Sequence, residues 1–253
     1  MRAGVEGQLL AWYERAGRDL PWRRTRDPYA ILVSEVMLQQ TQVDRVVPRY
    51  ERWLTRWPTP ESLAAAAAGD VIREWQGLGY NRRALALHRA ARRIADDGWP
   101  RDLEELPGVG PYTAGAIRNF ALGEPVLPVD VNVARVQRRT GHPFSPASAQ
   151  ALMDLGATVC RARVPRCGTC PLETSCPSRG IAEAPRRRQG PFEGSFRQRR
   201  GAVLKLVAER TRRLADVDDE AARSLERDGL VVVVEGSVSL PSEAGSPARA
   251  PGS

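Results

Sequence analysis

Apolar positions along the first 180 or so residues recur at three- and four-residue intervals, the spacing of one helix face. Between Val5 and Ala16, the side chains of Val5, Leu9, Leu10, Trp12 and Tyr13 fall close to one side. The stretch Leu20-Pro-Trp-Arg-Arg-Thr-Arg-Asp-Pro28 stops that pattern, because proline lacks the amide hydrogen that a helix needs. Tyr29 to Gln39 is the most apolar segment, and Gln42 to Trp57 is amphipathic with Val43, Val46, Val47, Tyr50 and Leu54 inward. Thr59-Pro-Glu-Ser62 opens a helix through alanines 64–68, and Asp70 is placed to cap a further turn ending at Gly77 or Gly79. Asn81 to Asp97 reads as a long arginine-rich helix. Strand-like alternation is nearly absent, so an all-α assembly is predicted here.

After Cys176 the pattern changes. Residues 184–195 read as a basic linker around Ala184-Pro-Arg-Arg-Arg-Gln-Gly190. Arg197 to Arg213 and Glu220 to Asp228 have helical patterning, and Leu230 to Leu240 reads as a hairpin turning at Glu235-Gly236. Helices followed by a hairpin suggest a small winged-helix-like module over 196–240. The tail 241–253, rich in Pro, Gly, Ser and Ala, carries too few apolar residues to fold by itself and is expected to be disordered. No internal repeat is present.

Composition narrows the partners. The chain has 253 residues, 42% hydrophobic and 27% charged, enough for one domain of ordinary size and a smaller one. No apolar run approaches the roughly 20 residues that span a bilayer, and the N-terminal residues lack a secretory signal, so a cytoplasmic protein with no membrane contact is expected; a monomer is expected as well. A net charge of +8 suits a polyanionic partner. Lysine is confined to Lys205, so no side-chain amine in residues 1–204 can form a Schiff base.

All four cysteines fall in one window: Cys160, Cys167, Cys170 and Cys176, spaced C-x6-C-x2-C-x5-C. Four thiolates so close in sequence can converge on one inorganic centre, a 4Fe–4S cluster or a structural zinc. Only Cys167 and Cys170 form the short knuckle that a zinc ribbon would show twice. Spacing alone leaves both metals open.

Three further sites carry chemistry. In Leu106-Pro-Gly-Val-Gly-Pro-Tyr-Thr-Ala-Gly115 a short helix over Asp102 to Leu106 meets a Gly-x-Gly turn, and a new helix starts near Tyr112. Amide groups exposed at such a start favour an anion, as in a hairpin that grips a DNA phosphate without reading sequence. Glu35 sits within Ile31-Leu-Val-Ser-Glu-Val-Met-Leu38; burial there favours the protonated carboxyl and a general-acid role, against the plainer role of a structural ion pair. Asp130, in Pro128-Val-Asp-Val-Asn132, is a good helix N-cap whose fixed charge could also face a cationic transition state.

The order of these elements resembles the endonuclease III superfamily of helix-hairpin-helix DNA glycosylases. Ser34-Glu-Val-Met-Leu-Gln-Gln-Thr-Gln-Val43, Gly77-Leu-Gly-Tyr80 and Met153-Asp-Leu-Gly-Ala157 resemble its A/G-specific adenine glycosylases, the MutY type. The likeness covers residues from about 6 to 178, read here as one glycosylase domain over 1–183. It implies a six-helix barrel over about 25–130 and a 4Fe–4S lobe built from the N-terminal helix and 131–180, favouring iron–sulfur over zinc. The implied substrate is double-stranded DNA carrying adenine mispaired with 8-oxoguanine or guanine. The target base must be flipped out of the stack, which favours mispaired sites.

By the same resemblance Glu35 protonates adenine on its five-membered ring, and Asp130 stabilises the sugar oxocarbenium ion. Tyr112 stands where relatives carry a Schiff-base lysine, so a monofunctional enzyme is implied. Gln40, Thr41 and Tyr80 match positions that probe the flipped site and the opposing purine, and Asn132 orients Asp130. Gly108, Val109 and Gly110 offer phosphate-binding amides, while Arg161, Arg163 and Arg166 suit DNA-backbone contact. The sequence departs from the pattern at Val131, where glycine is common, and in a shortened 133–152 region. By the same comparison, the long C-terminal domain that reads 8-oxoguanine in many relatives is not expected in these 253 residues. A T/G-mismatch thymine glycosylase and a catalytically impaired iron–sulfur DNA-binding relative are the alternatives.

Overall fold

The computed structural model describes residues 4–184 and 190–242. The core of the expected linker (185–189) and nearly all of the expected disordered tail (243–253) lie outside them. In chain order the α-helices are α1 (Val5–Ala16), α2 (Pro28–Leu38), α3 (Val43–Arg56), α4 (Pro60–Ala64), α5 (Ala68–Glu74) and α6 (Arg82–Asp97). They continue with α7 (Pro111–Phe120), α8 (Val131–Thr140), α9 (Ala149–Asp154), α10 (Phe196–Glu209) and α11 (Asp219–Arg227). Three short strands, β1 (Arg212–Arg213), β2 (Val232–Val234) and β3 (Ser237–Ser239), form an antiparallel sheet in the order β1-β3-β2. The chain divides into two compact units, Met1–Leu32 with Gly110–Arg188 and Val33–Val109 with Gln189–Ser253.

In the first unit, Leu9 of α1 packs with Val133 and Val136 of α8, Ala151 and Leu152 of α9, and Phe144, Leu155, Val159 and Leu172. Polar contacts fix the register of this packing. Tyr13 donates to Gln150 Oε1 at 2.8 Å, and Glu6 accepts from the Ser145 amide at 3.0 Å and from the Ser145 and Ser148 hydroxyls. The 133–152 region thus builds most of α8 and of α9. After α9 the backbone widens into a π turn over Leu155–Val159, which delivers Cys160.

Asp154, at the end of α9, has no exposure at all and is held by two arginines of the first loop. It accepts from the Arg18 amide and Nε at 2.8 Å each, and from Arg23 at 2.8 and 2.7 Å. Burial pushes this carboxyl up, but the donors from Arg23 and Arg18 outweigh burial and hold it below the usual aspartate value.

In the second unit Trp53 of α3 lies edge-on to Trp57 and Trp75, with ring centroids 4.8 and 5.5 Å apart. Thr59 and Ser62 form a reciprocal capping box that starts α4. The C-terminal elements join this unit's core. Val203, Leu204 and Val207 of α10, Ala221, Ala222 and Leu225 of α11, and Val231, Val238 and Leu240 pack with Ala68, Ile72 and Leu85. The Gly69 amide donates to the Pro241 carbonyl at 2.9 Å, and Arg73 donates to the Ala208 carbonyl at 3.1 Å.

Several expectations shift. The helix opened by Thr59 ends at Ala64, and a separate α5 starts at Ala68 with Ala67 as its uncapped N-cap. Asp70 is therefore inside α5, where it pairs with Arg73 at 2.8 Å and Arg56 at 3.5 Å instead of capping a turn. On α3 the fully buried positions are Val46, Tyr50 and Trp53, a stripe at four- and three-residue spacing. Trp53 wins over Leu54 because the larger ring reaches the tryptophan cluster. Helix α10 ends at Glu209, and Arg212 and Arg213 pair instead with Val238 and Ser237 as a third strand. The hairpin turns at Glu235-Gly236, both with positive φ (47° and 72°), as its tight turn requires.

Candidate active site and thiol cluster

Asp130 caps α8, and its orientation is fixed from three sides. Its Oδ1 accepts from the Asn132 and Val133 amides at 2.9 and 2.7 Å, and its Oδ2 accepts from the Asn132 side-chain amide at 2.8 Å. The same carboxylate is thus both the N-cap expected from sequence and an anion held in one pose at a helix N-terminus. Val131 follows it on the exposed side of the first turn, so the missing glycine leaves the cap geometry intact.

Asn132 is itself held. Its Oδ1 accepts from Arg135 Nη2 at 2.6 Å, and the same guanidinium donates to the carbonyls of Gly156 at 2.7 Å and Cys160 at 2.7 Å. Arg135 is buried, so each donor meets an acceptor out of water. The π turn approaches α8 so closely that a Cβ on Gly156 would lie 2.5 Å from Asn132 Cβ, which only glycine permits. A continuous chain of side-chain and main-chain contacts therefore runs from Asp130 through Asn132 and Arg135 to the backbone of the first cysteine.

All four cysteines are half-buried, unpaired in disulfides, and line one cavity together with Val136, Arg139, Leu155 and Leu172. Burial pushes the Cys170 thiol up to about 11, and the neighbouring Cys160, Cys176 and Cys167 push the same way. Arg139, also buried, donates to Cys160 Sγ at 3.4 Å and to the carbonyls of Arg161 at 3.0 Å and Ala162 at 2.9 Å. Gly180 donates its amide to Cys167 Sγ at 3.2 Å. Hydrogen bonds to sulfur of this kind suit thiolates. Among the described residues, no group of three or more His, Cys, Asp or Glu could hold a single metal ion. Four free thiols lining one cavity are a donor set of sulfur alone, the chemistry that thiolate-held metal centres use.

Arg161, Arg163 and Arg166 all lie exposed on the loop between Cys160 and Cys167. The hairpin at 103–112 has a 3-10 turn, Leu103–Glu105, capped by Asp102, followed by Gly108 with φ +83° and Gly110 as N-cap of α7. Gly108 is exposed, Gly110 half-buried and Tyr112 half-buried on the first turn of α7. Val109 is different: its amide donates to the Leu106 carbonyl at 3.0 Å and its side chain is buried, so it shapes the turn from inside.

Glu35, only 5% exposed, sits on α2 between the buried Ser34 and Val36, as the apolar run predicted. Beyond the end of α2, Gln40 is exposed and Thr41 half-buried, and Tyr80 is 48% exposed at the end of the Gly77-Leu-Gly-Tyr loop. The structure gathers the two residues flanking Gln40, Gln39 and Thr41, together with Tyr80, around the side chain of Arg83, which the sequence does not point to. Arg135, Arg139 and Asp154 were also not singled out. For Arg135 the signal was present: it lies three residues after Asn132 and one before the apolar Val136, on a face where a solvated arginine has no reason to be.

A family model described as HhH-GPD superfamily base excision DNA repair protein matches residues 33–155. The adenine DNA glycosylase of Mycobacterium tuberculosis is 42% identical, over 93% of this chain and 93% of that protein. Among solved structures, a thermostable thymine-DNA glycosylase matches with a TM-score of 0.61 at 28% identity, covering 68% of this chain and 93% of that one. A trapped endonuclease III–DNA covalent intermediate matches with a TM-score of 0.59 at 23% identity, over 68% and 92% of the two chains, a likeness of fold. This chain belongs to the HhH-GPD superfamily of base excision DNA repair proteins and, within it, to the adenine DNA glycosylases.

Proposed function

We propose that this protein is a monofunctional glycosylase that hydrolyses the N-glycosidic bond of adenine opposite 8-oxoguanine or guanine, leaving an abasic site. Glu35 donates a proton to the imidazole-ring nitrogen of the flipped adenine and turns it into a neutral leaving group. As the bond breaks, positive charge develops on the deoxyribose, and Asp130 faces it with a carboxylate that does not need to reorient. Water then adds to the sugar carbon, and its proton leaves through a carboxylate, as in paired-carboxylate glycoside hydrolysis. The observation that carries the reading is the pose of Asp130, with three donors of 2.7 to 2.9 Å on one carboxylate at a helix start. With no lysine before Lys205, no side-chain imine can form on the sugar from this part of the chain, and strand cleavage through a lysine imine is closed there.

Cys160, Cys167, Cys170 and Cys176 would hold a 4Fe–4S cluster, which when bound supplies a rigid inorganic anchor for the loop that bears Arg161, Arg163 and Arg166. Those arginines, with the amides at Gly108 and Gly110, bind the phosphate backbone; this term is independent of sequence and falls with salt. Tyr112 fills the hairpin position without nucleophilic chemistry.

The test is incubation of the pure protein with duplexes carrying A/8-oxoguanine, A/G, T/G or thymine glycol, followed by alkali. Alkali-dependent breaks at adenine are expected. Breaks at T/G alone would assign the thymine activity, and breaks without alkali would overturn the monofunctional assignment. Glu35→Gln should lower turnover by about 100-fold or more while duplex binding persists.

A further inference from the structure

Gln40 and Tyr80 share an unusual property. Both are non-glycine residues with left-handed backbone, at φ 56° and 47°, and both side chains are exposed. That conformation is costly for residues with a Cβ and persists only where the surroundings impose it. One side chain bonds the chain on either side of Gln40 and at Tyr80. From α6, the Arg83 guanidinium donates to the carbonyls of Val36 at 2.9 Å, Met37 at 3.0 Å and Gln39, which are the last carbonyls of α2 and the turn after it. The same group donates to Thr41 Oγ1 at 2.9 Å and to the carbonyls of Leu78 at 3.3 Å and Gly79 at 2.9 Å, with Nε reaching Tyr80 O at 3.4 Å.

Five N–H donors therefore serve seven acceptors on two separate loops, some of them shared. The guanidinium also lies over the Trp75 ring at 5.2 Å and the Tyr80 ring at 5.5 Å. Thr41 Oγ1 bonds across to the Leu78 carbonyl at 3.3 Å, and Trp75 Nε1 to that of Gly79 at 3.1 Å, so the two loops form one frame. Burial pushes the Arg83 side chain down to about 10, which leaves it charged at neutral pH.

We infer that Arg83 is a positioning residue that locks the Gln40 turn and the Tyr80 loop into one rigid probe of the duplex, and so sets which mispairs are accepted. The inference rests on the adenine-glycosylase reading. An exposed aromatic ring stacks on a base whatever its identity, and an exposed amide adds directional hydrogen bonds. Discrimination requires that neither can shift to suit a wrong partner. Arg83 makes no bond to a carboxylate of this site in these contacts; it fixes the path of the chain that presents the probes. A lysine keeps the charge but offers three donors from one atom, too compact to span both loops.

The experiment compares the full-length wild type with Arg83→Met, Arg83→Lys and, as a charge-matched control, Arg82→Met. Excision is followed under single turnover, with protein in saturating excess, on A/8-oxoguanine, A/G and A/C duplexes, alongside duplex dissociation constants and melting curves. In folded Arg83 variants the preference for A/8-oxoguanine over A/C should fall by about tenfold or more, and binding should weaken by a similar factor. The saturated rate on A/8-oxoguanine should fall by less than about fivefold, and Arg82→Met should match wild type within about twofold.

A folded Arg83→Met or Arg83→Lys that keeps wild-type preference overturns the inference. So does a loss confined to the saturated rate. Should Arg83→Met not fold, Arg83→Lys decides, and failure of both to fold would make the residue a support of the fold and overturn the positioning role. A wild type that excises no adenine would sink the enzymatic reading instead, before any variant is compared.

Discussion

Each unit is tied by a buried or half-buried arginine, and the two arginines hold different kinds of atom. Arg135, in the first unit, reaches a side chain: it bonds Asn132, which bonds Asp130, and it ends on the carbonyls of Gly156 and Cys160. Arg83, in the second, bonds carbonyls of two loops and one hydroxyl. The first arrangement fixes the direction of a charged group. The second fixes the course of the backbone beneath exposed side chains. Losing the first should slow a chemical step, and losing the second should blur recognition.

The largest expected effect tests what holds the Arg135 chain in place. Asp154→Asn leaves Arg18 and Arg23 without their buried anion and should cost about 3–5 kcal/mol in urea unfolding. The sign of its pH dependence follows from the lowered carboxyl. Its stabilisation is complete above the unfolded value of about 3.9 and is lost as pH falls through the lower folded value, so the first unit should loosen only below about pH 4. Loosening that begins near neutrality and vanishes in Asp154→Asn would contradict this.

Arg135→Met comes next and is the direct counterpart of the Arg83 variants. With Asn132 freed, a carboxylate displaced by about 1 Å should slow single-turnover excision by about 100-fold while duplex affinity changes little. If affinity and mispair preference fall and the rate holds, the contrast between the two arginines is wrong. Gly156→Ala should act in the same direction and more weakly, about tenfold in rate, because the added methyl must push Asn132 aside.

The smallest effect concerns the second unit. His88 is buried on α6, and its Nε2 has no partner among the described residues. Burial holds the imidazole below its usual value, with repulsion from Arg92 and Arg89 adding to that, against backbone hydrogen bonding at Ala64 and Ala66. A lowered histidine keeps its full stability above the unfolded value of about 6.5 and loses it as pH falls, since the unfolded chain takes the proton first. Thermal melts between about pH 7 and 5 should therefore show a decline that His88→Leu flattens. The two units thus have separate acid thresholds, and equal ones would remove that part of the comparison.

Much of this was legible in the sequence, and the reasons for the misses are specific. Helix α1 and the Glu235-Gly236 turn follow from local signals, apolar spacing and a glycine between two apolar runs, and both stand where the pattern put them. Asp130 was legible because an N-cap is a contact between near neighbours, and Asn132 through the family resemblance alone. The buried arginines were not. Of 38 basic residues all but Lys205 are arginine, so residue type does not separate a buried arginine from Arg161, Arg163 and Arg166 beside the cysteines. Those three are exposed, whereas Arg83 finds acceptors more than 40 residues away in sequence, a contact that no local pattern encodes. The split between α4 and α5 was hidden for a related reason: five consecutive alanines permit a helix and a break alike, and tertiary packing chose.

The interleaving of the two units has a consequence for how the protein is made. Each unit is assembled from two stretches of chain, and each of those stretches is separated from its mate by part of the other unit. The second unit seals Ile72 and Leu85 only with residues from Val203 onward. A ribosome that has released the first 155 residues has therefore delivered all of the matched family segment and a finished core for neither unit. Nascent chains arrested at that length should remain sensitive to protease, and protection should arrive late, after α10, α11 and the sheet have emerged.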